Sequence, residues 1–169
     1  VPVLLVMMAV ERLGAATVAQ TGMIGPLSTI LMGVWLLDEP LTQAMVLGTA
    51  GFTAALALLR MTDTRQTPAH GPLAVTGATG GVGSLAVDIF SQAGYEVHAI
   101  SGKAEAADYL TAIGASQILG RDALGTTRPM ESARFGGGLD NVGGSMLTSL
   151  LAQTSPYGNV ASAGLAASG

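Results

Sequence analysis

Two parts of the chain differ in how their apolar residues are spaced. Up to about residue 60 they form long uncharged runs, of which the longest extends from Leu13 to Leu37 between charged pairs. A run of this kind can span a bilayer, for which about 20 apolar residues suffice. The next run, Leu41 to Leu59, is diluted by glycine and threonine and is of marginal length. Hydropathy alone leaves open whether this part is a membrane segment or a buried core.

Beyond Arg60 short apolar runs alternate with amphipathic ones. One predicted helix ends at Gly94 and a second, from about Ala104 to Ile113, ends at Gly114. The first carries an apolar stripe of Val82, Leu85, Ala86, Ile89 and Phe90. Strands are predicted near Leu73–Thr76, Glu96–Ile100, Gln117–Leu119, Leu139–Val142 and Asn159–Ala163. This alternation predicts an α/β fold with a parallel sheet of about five strands covered on both faces.

Composition narrows the function classes. Hydrophobic residues make up 49% of the 169 residues and charged residues 11%, which excludes a disordered chain. The net charge of −4 argues against nucleic-acid binding, which usually requires a positively charged surface. The chain has no cysteine, hence no disulfide, thiolate nucleophile or cysteine-ligated zinc. The two histidines, His70 and His98, lack the partners that a metal site needs, so no metal is predicted.

The segment LAVTGATGGVGS, Leu73 to Ser84, leads from a predicted strand through a glycine-rich turn into a helix. Gly77 allows a tight turn, Gly80 and Gly81 leave room for a pyrophosphate beside the backbone, and Gly83 allows the helix to pack on the strand. Backbone N–H groups at the helix start would face the phosphates. In this context the pattern predicts a Rossmann-type dinucleotide site; a turn that serves packing alone is the alternative.

The end of the second predicted strand indicates which dinucleotide binds. An acidic residue there would hold the ribose hydroxyls of NAD, whereas this chain has Ser101, Gly102 and Lys103. A hydroxyl, a glycine turn and an ammonium favour the extra 2′-phosphate of NADP, so the sequence predicts NADPH. Arg121, after the third strand, is a second candidate for that phosphate. A solvated lysine and a surface arginine are the alternatives.

Two further residues are candidates by position only. Ligands of open α/β sheets bind at the carboxyl ends of the strands. Backbone near Val142, after the fourth predicted strand, and near Leu165, after the fifth, is therefore predicted to face the nicotinamide.

Several blocks of the sequence, in order, resemble the nucleotide-binding domain of medium-chain dehydrogenases/reductases. They are most similar to the zinc-independent branch of acrylyl-CoA reductases and quinone-oxidoreductase-like proteins. The resemblance covers about Leu41 to Gly169. The blocks are QAMVLGTAGFTAALALL, GPLAVTGATGGVGS, GYEVHAISGK, YLTAIGAS, RPMESARFGGGLDNVGG and LLAQTSPYGNVASAGLA.

The resemblance implies an NADPH-dependent reductase that delivers hydride to an activated double bond, such as that of an enoyl thioester or a quinone. Ser101, Lys103 and Arg121 would hold the 2′-phosphate, although the family often has arginine in place of Lys103. The residues that would hold the diphosphate are Thr79, Gly80, Gly81, Val82 and Gly83. In the family a GroES-like substrate domain precedes this one. Because nothing similar is present, we assign no catalytic residue and expect the fragment to be inactive alone.

The first forty residues resemble the late transmembrane region of a drug/metabolite transporter, in the stretch AVERLGAATVAQTGMIGPLSTILMGVWLLDEPLT. The predicted organisation is an apolar, transporter-like helical segment over 1–40, a helix and linker over 41–70, and an NADP(H)-binding domain over 71–169 that is incomplete at its C-terminus. The junction then looks like a fusion. Its origin, as a natural fusion, a design or an assembly artefact, stays open.

Three other function classes compete with this interpretation. A short-chain dehydrogenase shares the glycine spacing but needs a lysine four residues after a tyrosine. Tyr95, Tyr109 and Tyr157 have none there, which argues against that class. A membrane-transport fragment would place the function in residues 1–40. A nucleotide-binding module without catalysis would bind NADPH and not turn over. For the reductase part we expect a cytoplasmic location and a homodimer, with membrane contact through 1–40.

Overall fold

The computed structural model describes residues 42–125 and 133–164 of the chain. The chain divides into two compact units, residues 1–49 and 50–169. The transporter-like segment 1–40 and the candidate Leu165 lie outside the described residues, so the predictions made for them stay predictions.

Five parallel strands form a single sheet in the order β3-β2-β1-β4-β5. The strands are β1 (Leu73–Thr76), β2 (Val97–Ile100), β3 (Gln117–Leu119), β4 (Phe135–Asp140) and β5 (Thr154–Ser162). The chain moves outward from β1 to β3 and then returns to the other side of β1. The predicted α/β architecture with a five-stranded parallel sheet is confirmed, and β1 and β3 have the predicted bounds.

Helices cover both faces of this sheet. They are α1 (Gln43–Asp63), α2 (Gly81–Gln92), α3 (Ala107–Ala112) and α4 (Gly144–Ala152), with single 3₁₀ turns at Pro68–His70, Ala104–Ala106 and Arg121–Leu124. Because successive strand residues point to opposite faces, Leu73 and Val75 join one core cluster and Ala74 joins the other. Residues of α1, α2 and α3 complete the first cluster, whereas Leu124 and Leu150 complete the second.

Glycines end α2 and α3 as predicted. Gly94 and Gly114 have φ angles of +86° and +107°, in the left-handed region. In α2 the N–H of Tyr95 donates to the carbonyl of Phe90 at 3.1 Å and that of Gly94 to Ser91 at 2.9 Å, which is a Schellman motif. The predicted helix Ala104–Ile113 is instead a 3₁₀ turn followed by α3.

The bounds predicted for two strands were wrong. The fourth strand is Phe135–Asp140 rather than Leu139–Val142. It contains three glycines, which lower strand propensity, but two of them, Gly137 and Gly138, are nevertheless paired with both neighbouring strands. A Cβ at Gly138 would overlap the carbonyl oxygen of Ala74 on the neighbouring strand. The fifth strand begins at Thr154 rather than Asn159, since Thr154 pairs with Phe135 ahead of a register shift.

Helix α1 is the one described helix long and apolar enough to cross a membrane by length and composition. A core helix of a soluble protein meets the same criteria. Within residues 50–169, Ala54, Ala57 and Met61 of this helix are buried in the sheet's first core cluster. The face with Phe52 and Leu59 is about half exposed.

Gln66 connects the segment after α1 to the two strands on the far side of β1. This buried side chain donates from Nε2 to the carbonyl of Gly136 at 3.0 Å, and its Oε1 accepts from the N–H of Asn159 at 3.1 Å. The Tyr95 hydroxyl donates to the Gln66 carbonyl at 2.9 Å. Burial raises the pKa of the Tyr95 phenol, which keeps the donating, neutral form. The linker is thus fixed to both halves of the sheet.

We expect Gln66→Leu to lower the free energy of unfolding by about 2–4 kcal/mol, because the buried Gly136 carbonyl and the partly buried Asn159 N–H lose their partners. Urea denaturation monitored by circular dichroism measures this. Thr64→Ala is the matched control: Thr64 Oγ1 accepts a 2.7 Å bond from the Asn159 side chain at an exposed position, and its loss should cost less than about 1 kcal/mol. Equal costs for the two variants would contradict the importance of the buried pair.

Candidate functional site

The turn after β1 brings the start of α2 against the strand. Gly77 has a φ angle of +60° and its carbonyl accepts from the N–H of Gly80 at 2.9 Å. A Cβ on Gly83 would overlap the carbonyl oxygen of Gly77 and lie 2.8 Å from Ala78 Cα. Only glycine at position 83 therefore permits this close packing of helix on turn.

The N-terminus of α2 is open. The N-cap residue Gly80 supplies no side-chain hydrogen bond, and the first turn contains no acidic residue. Gly80 and Gly81 are exposed, and a Cβ on Gly81 would meet no atom within 4 Å. Within the described part of the chain, the N–H groups of Gly81, Val82 and Gly83 donate to no protein acceptor. An anion at this position would meet three free donors and the positive end of the helix dipole.

At the carboxyl ends of β2 and β3 the polar candidates lie together. The Ser101 hydroxyl accepts from the N–H of Lys103 at 3.0 Å and lies 3.4 Å from the Thr79 hydroxyl of the glycine turn. The Arg121 side chain lies over Gly102, with its Nε 2.8 Å from the point where a Cβ would stand. In residues 42–125 and 133–164 neither Lys103 nor Arg121 forms an ion pair. Two cationic residues without carboxylate partners among the described residues therefore belong to this segment, Lys103 two positions after Ser101 and Arg121 beside Gly102, which suits a dianionic phosphate.

Val142 lies in the turn that follows β4. Its Cγ2 is 3.3 Å from the position of a Cβ on Gly77, so this turn packs on the glycine turn after β1. Gly164, after β5, lies against the backbone of Asn141 and Val142. The carboxyl ends of β1, β4 and β5 thus converge at one edge. The role predicted for Val142 stays a prediction, and Leu165 lies outside the described residues.

The two histidines stand apart from this edge. His70 is exposed in a 3₁₀ turn, and its ring Nδ1 lies 2.9 Å from the Thr67 hydroxyl. His98 lies on β2, with its Nε2 2.9 Å from a Glu96 carboxylate oxygen and its ring edge-on to Phe135. Among the residues that the structure describes, no group of three or more histidine, aspartate or glutamate side chains could hold a metal ion.

Sequence reasoning missed the hydrogen bonds that join β1 to the turn after β4. The Thr76 hydroxyl donates to the Asp140 carboxylate at 2.7 Å, and the Asn141 side chain donates to the Thr76 carbonyl at 2.9 Å. The available signal was a threonine and an aspartate, each at the end of an apolar strand. It could be used only if β1 and β4 were known to be neighbours.

No family model matches the chain. It is 50% identical over 138 residues to acrylyl-CoA reductase AcuI of Ruegeria pomeroyi, a match that covers 78% of this chain and 42% of that protein. The chain thus spans less than half the length of the curated relatives it matches.

Solved structures give the same relationship. The yhdH oxidoreductase from Salmonella enterica, crystallised in complex with NADP, superposes with a TM-score of 0.69 at 44% identity. That match covers 72% of this chain and 38% of the Salmonella protein. The Bacillus subtilis protein yhfP, crystallised with NAD bound, also gives a TM-score of 0.69 at 44% identity, covering 75% of this chain and 41% of that one.

Proposed function

We propose that this chain supplies the NADPH-binding part of a reductase. The premise is its family: the chain belongs to the acrylyl-CoA reductase and quinone-oxidoreductase-like branch of the medium-chain dehydrogenases/reductases. The observation that carries the proposal is the open N-terminus of α2. Three N–H groups without protein acceptors lie beside an exposed glycine turn. They fit the diphosphate of a dinucleotide in both charge and space.

The neighbouring helix is a poorer place for this diphosphate. At the start of α4 the chain's own Asp140 carboxylate accepts from the N–H of Gly143 at 2.8 Å. An anionic ligand there would meet a carboxylate already in position. We therefore assign the diphosphate to residues 79–83, in which Thr79 precedes the glycines and Val82 lies between Gly81 and Gly83.

The cations at the ends of β2 and β3 support NADPH over NADH. The extra 2′-phosphate of NADPH would bind the Ser101 hydroxyl, the Lys103 ammonium and the Arg121 guanidinium. Gly102 supports this arrangement because the Arg121 Nε lies 2.8 Å from the position that a Cβ at residue 102 would take, so a larger residue would displace it. Two of the solved relatives were crystallised with NADP or NADPH and one with NAD, so a comparison of NADPH with NADH binding is the direct test of these phosphate contacts.

The protein's contribution to the chemistry is orientation and electrostatics. The bound nicotinamide would supply the hydride. Val142 and Leu165 would position that ring through their backbone at the edge where β1, β4 and β5 end. The diphosphate and 2′-phosphate contacts would fix the other end of the molecule, so that the reactive carbon has one orientation.

The proposed substrate class is an activated double bond conjugated to a carbonyl, as in acrylyl-CoA or a quinone. NADPH oxidation at 340 nm in the presence of acrylyl-CoA tests the activity directly. Thermal stabilisation by NADPH tests the cofactor-binding part by itself, because a ligand that binds only the folded state raises its stability. It is expected with or without turnover by this chain, and its absence would refute the proposal.

We further propose a cytoplasmic location and a homodimer for the reductase part, with membrane association through residues 1–40. Carbonate washing of membranes tests the association, and light scattering of the purified protein tests the dimer. A chain that remains with washed membranes supports contact through the apolar segment.

Lys103→Ala should weaken NADPH binding about 10- to 100-fold, because a hydrogen bond to a charged group contributes about 1.5–3 kcal/mol. NADH binding should change less than about twofold, since NADH lacks the 2′-phosphate. Fluorescence titration of both dinucleotides at one ionic strength measures the two constants. Arg60→Ala is the control, since it removes one positive charge from an exposed site on α1. Equal losses of NADPH and NADH affinity in Lys103→Ala would refute the assignment of Lys103 to the 2′-phosphate.

A further inference from the structure

Asp140 is a fully buried charged residue at the end of β4, and the dinucleotide contacts proposed above do not use it. Its Oδ1 accepts from the Thr76 hydroxyl at 2.7 Å and from the N–H of Val142 at 3.4 Å. Its Oδ2 accepts from the N–H of Gly143 at 2.8 Å. One side chain thus holds the end of β1 and two residues of the following turn.

Thr76 closes the same network from the other strand. Its hydroxyl, while donating to Asp140, accepts from the N–H of Asn141 at 3.0 Å. Its carbonyl accepts from the Asn141 side-chain amide at 2.9 Å. These bonds join β1 to the turn after β4 at the point where the order of strands reverses. In open α/β sheets that point is where the ligand crevice opens.

A buried carboxylate is a poor choice for stability alone. Its desolvation costs several kcal/mol, and well-packed apolar residues of similar volume are often as stable. The carboxylate instead fixes the conformation of the turn, because each of its oxygens orients one backbone N–H. The turn that it fixes contains Gly143 and Gly144, with φ angles of +82° and +58°, a backbone path that other residues rarely adopt.

The turn also holds an acceptor that the described protein residues leave unused. Asn141 Oδ1 is buried and has no hydrogen-bond partner in the described part of the chain. Buried polar atoms are nearly always satisfied, so a donor from beyond the described residues is expected here. The nicotinamide end of a dinucleotide carries such a donor in its carboxamide NH₂ group.

We propose that Asp140, acting with Thr76, is a positioning residue for the nicotinamide half of the dinucleotide. It fixes the turn formed by Asn141, Val142 and Gly143, and this turn meets the ligand. The inference rests on the proposed function. It predicts that the network governs binding of the nicotinamide half and leaves the adenosine half, held at β2 and β3, unaffected.

Two ligands separate these halves: NADPH, and adenosine 2′,5′-bisphosphate, which lacks the diphosphate link and the nicotinamide. For Asp140→Asn we expect an NADPH affinity lowered about tenfold or more, and an affinity for the bisphosphate within about twofold of wild type. The fluorescence shift of bound NADPH, which reports on the surroundings of the nicotinamide, should diminish. Asp63→Asn on α1 is the control for removal of one negative charge, and should change neither affinity.

Thr76→Val and Thr76→Ser test the network from the second strand, and also serve if Asp140→Asn does not fold. Serine keeps the hydroxyl and should retain NADPH affinity within about threefold, whereas valine should lower it about tenfold. The proposal is overturned if folded variants lose both ligands equally or neither. It is also overturned if Thr76→Val unfolds where Thr76→Ser folds, since the hydroxyl would then serve stability. A wild-type chain that binds neither ligand would refute the proposed function itself.

Discussion

Replacing Gly83 with alanine is expected to destabilise the fold and abolish dinucleotide binding. The added methyl would overlap the Gly77 carbonyl oxygen and lie 2.8 Å from Ala78 Cα, and both contacts are with backbone. Because backbone cannot rotate aside, α2 must move away from the turn. Forced overpacking of this kind costs about 3 kcal/mol, or roughly 10 °C in Tm for a chain of this size. The displaced N–H groups should lower NADPH affinity about 100-fold or more.

Gly81→Ala is the matched control, two residues away on the same turn of helix. A Cβ on Gly81 meets nothing within 4 Å, so the fold should be retained and stability should stay the same or rise by up to about 1 kcal/mol. NADPH affinity should still fall about tenfold, because the methyl occupies room beside the free N–H groups. Thermal melts and fluorescence titration measure both quantities. If Gly83→Ala melts at the wild-type temperature, the close approach of helix and turn is refuted.

Replacing Gly102 with aspartate is expected to invert the preference between NADPH and NADH. The Arg121 Nε lies 2.8 Å from the Cβ position at residue 102. The new carboxylate would therefore form an ion pair with the Arg121 guanidinium. It would also repel the 2′-phosphate and could accept hydrogen bonds from the ribose hydroxyls of NADH. Loss of charge-assisted bonds worth about 1.5–3 kcal/mol each should lower NADPH affinity about 100-fold. NADH affinity should stay within about threefold of wild type or rise.

Gly102→Ala separates the effect of charge from that of volume. It adds a methyl that displaces the exposed Arg121 side chain without adding charge, so NADPH affinity should fall only about three- to tenfold. Calorimetric titration at low and high salt measures both variants. The aspartate effect should shrink as salt screens the carboxylate and phosphate. If alanine and aspartate lower NADPH affinity equally, volume and not charge sets the preference.

The sequence determined those features whose causes are local. Apolar runs bounded by turn residues gave the bounds of β1 and β3, and glycines that allow a left-handed φ predicted the ends of α2 and α3 at Gly94 and Gly114. The glycine spacing at 77–83 predicted a tight turn and close packing because each requirement falls on a single residue. The parallel five-stranded sheet followed from the alternation of periods, since each strand and helix must bury its own apolar face.

Other features were decided only by the tertiary structure. The glycine run at 136–138 is a strand because it fits tightly between neighbours: a Cβ on Gly136 would meet the carbonyl of His70, which is distant in sequence. The packing of α1 into the sheet core, the approach of Arg121 to Gly102, and the bonds from Thr76 to Asp140 likewise join distant segments. The local spacing of residues in the sequence does not specify which strands become neighbours. The strand order β3-β2-β1-β4-β5 places β1 beside β4 and so brings Thr76 and Asp140 within hydrogen-bonding distance.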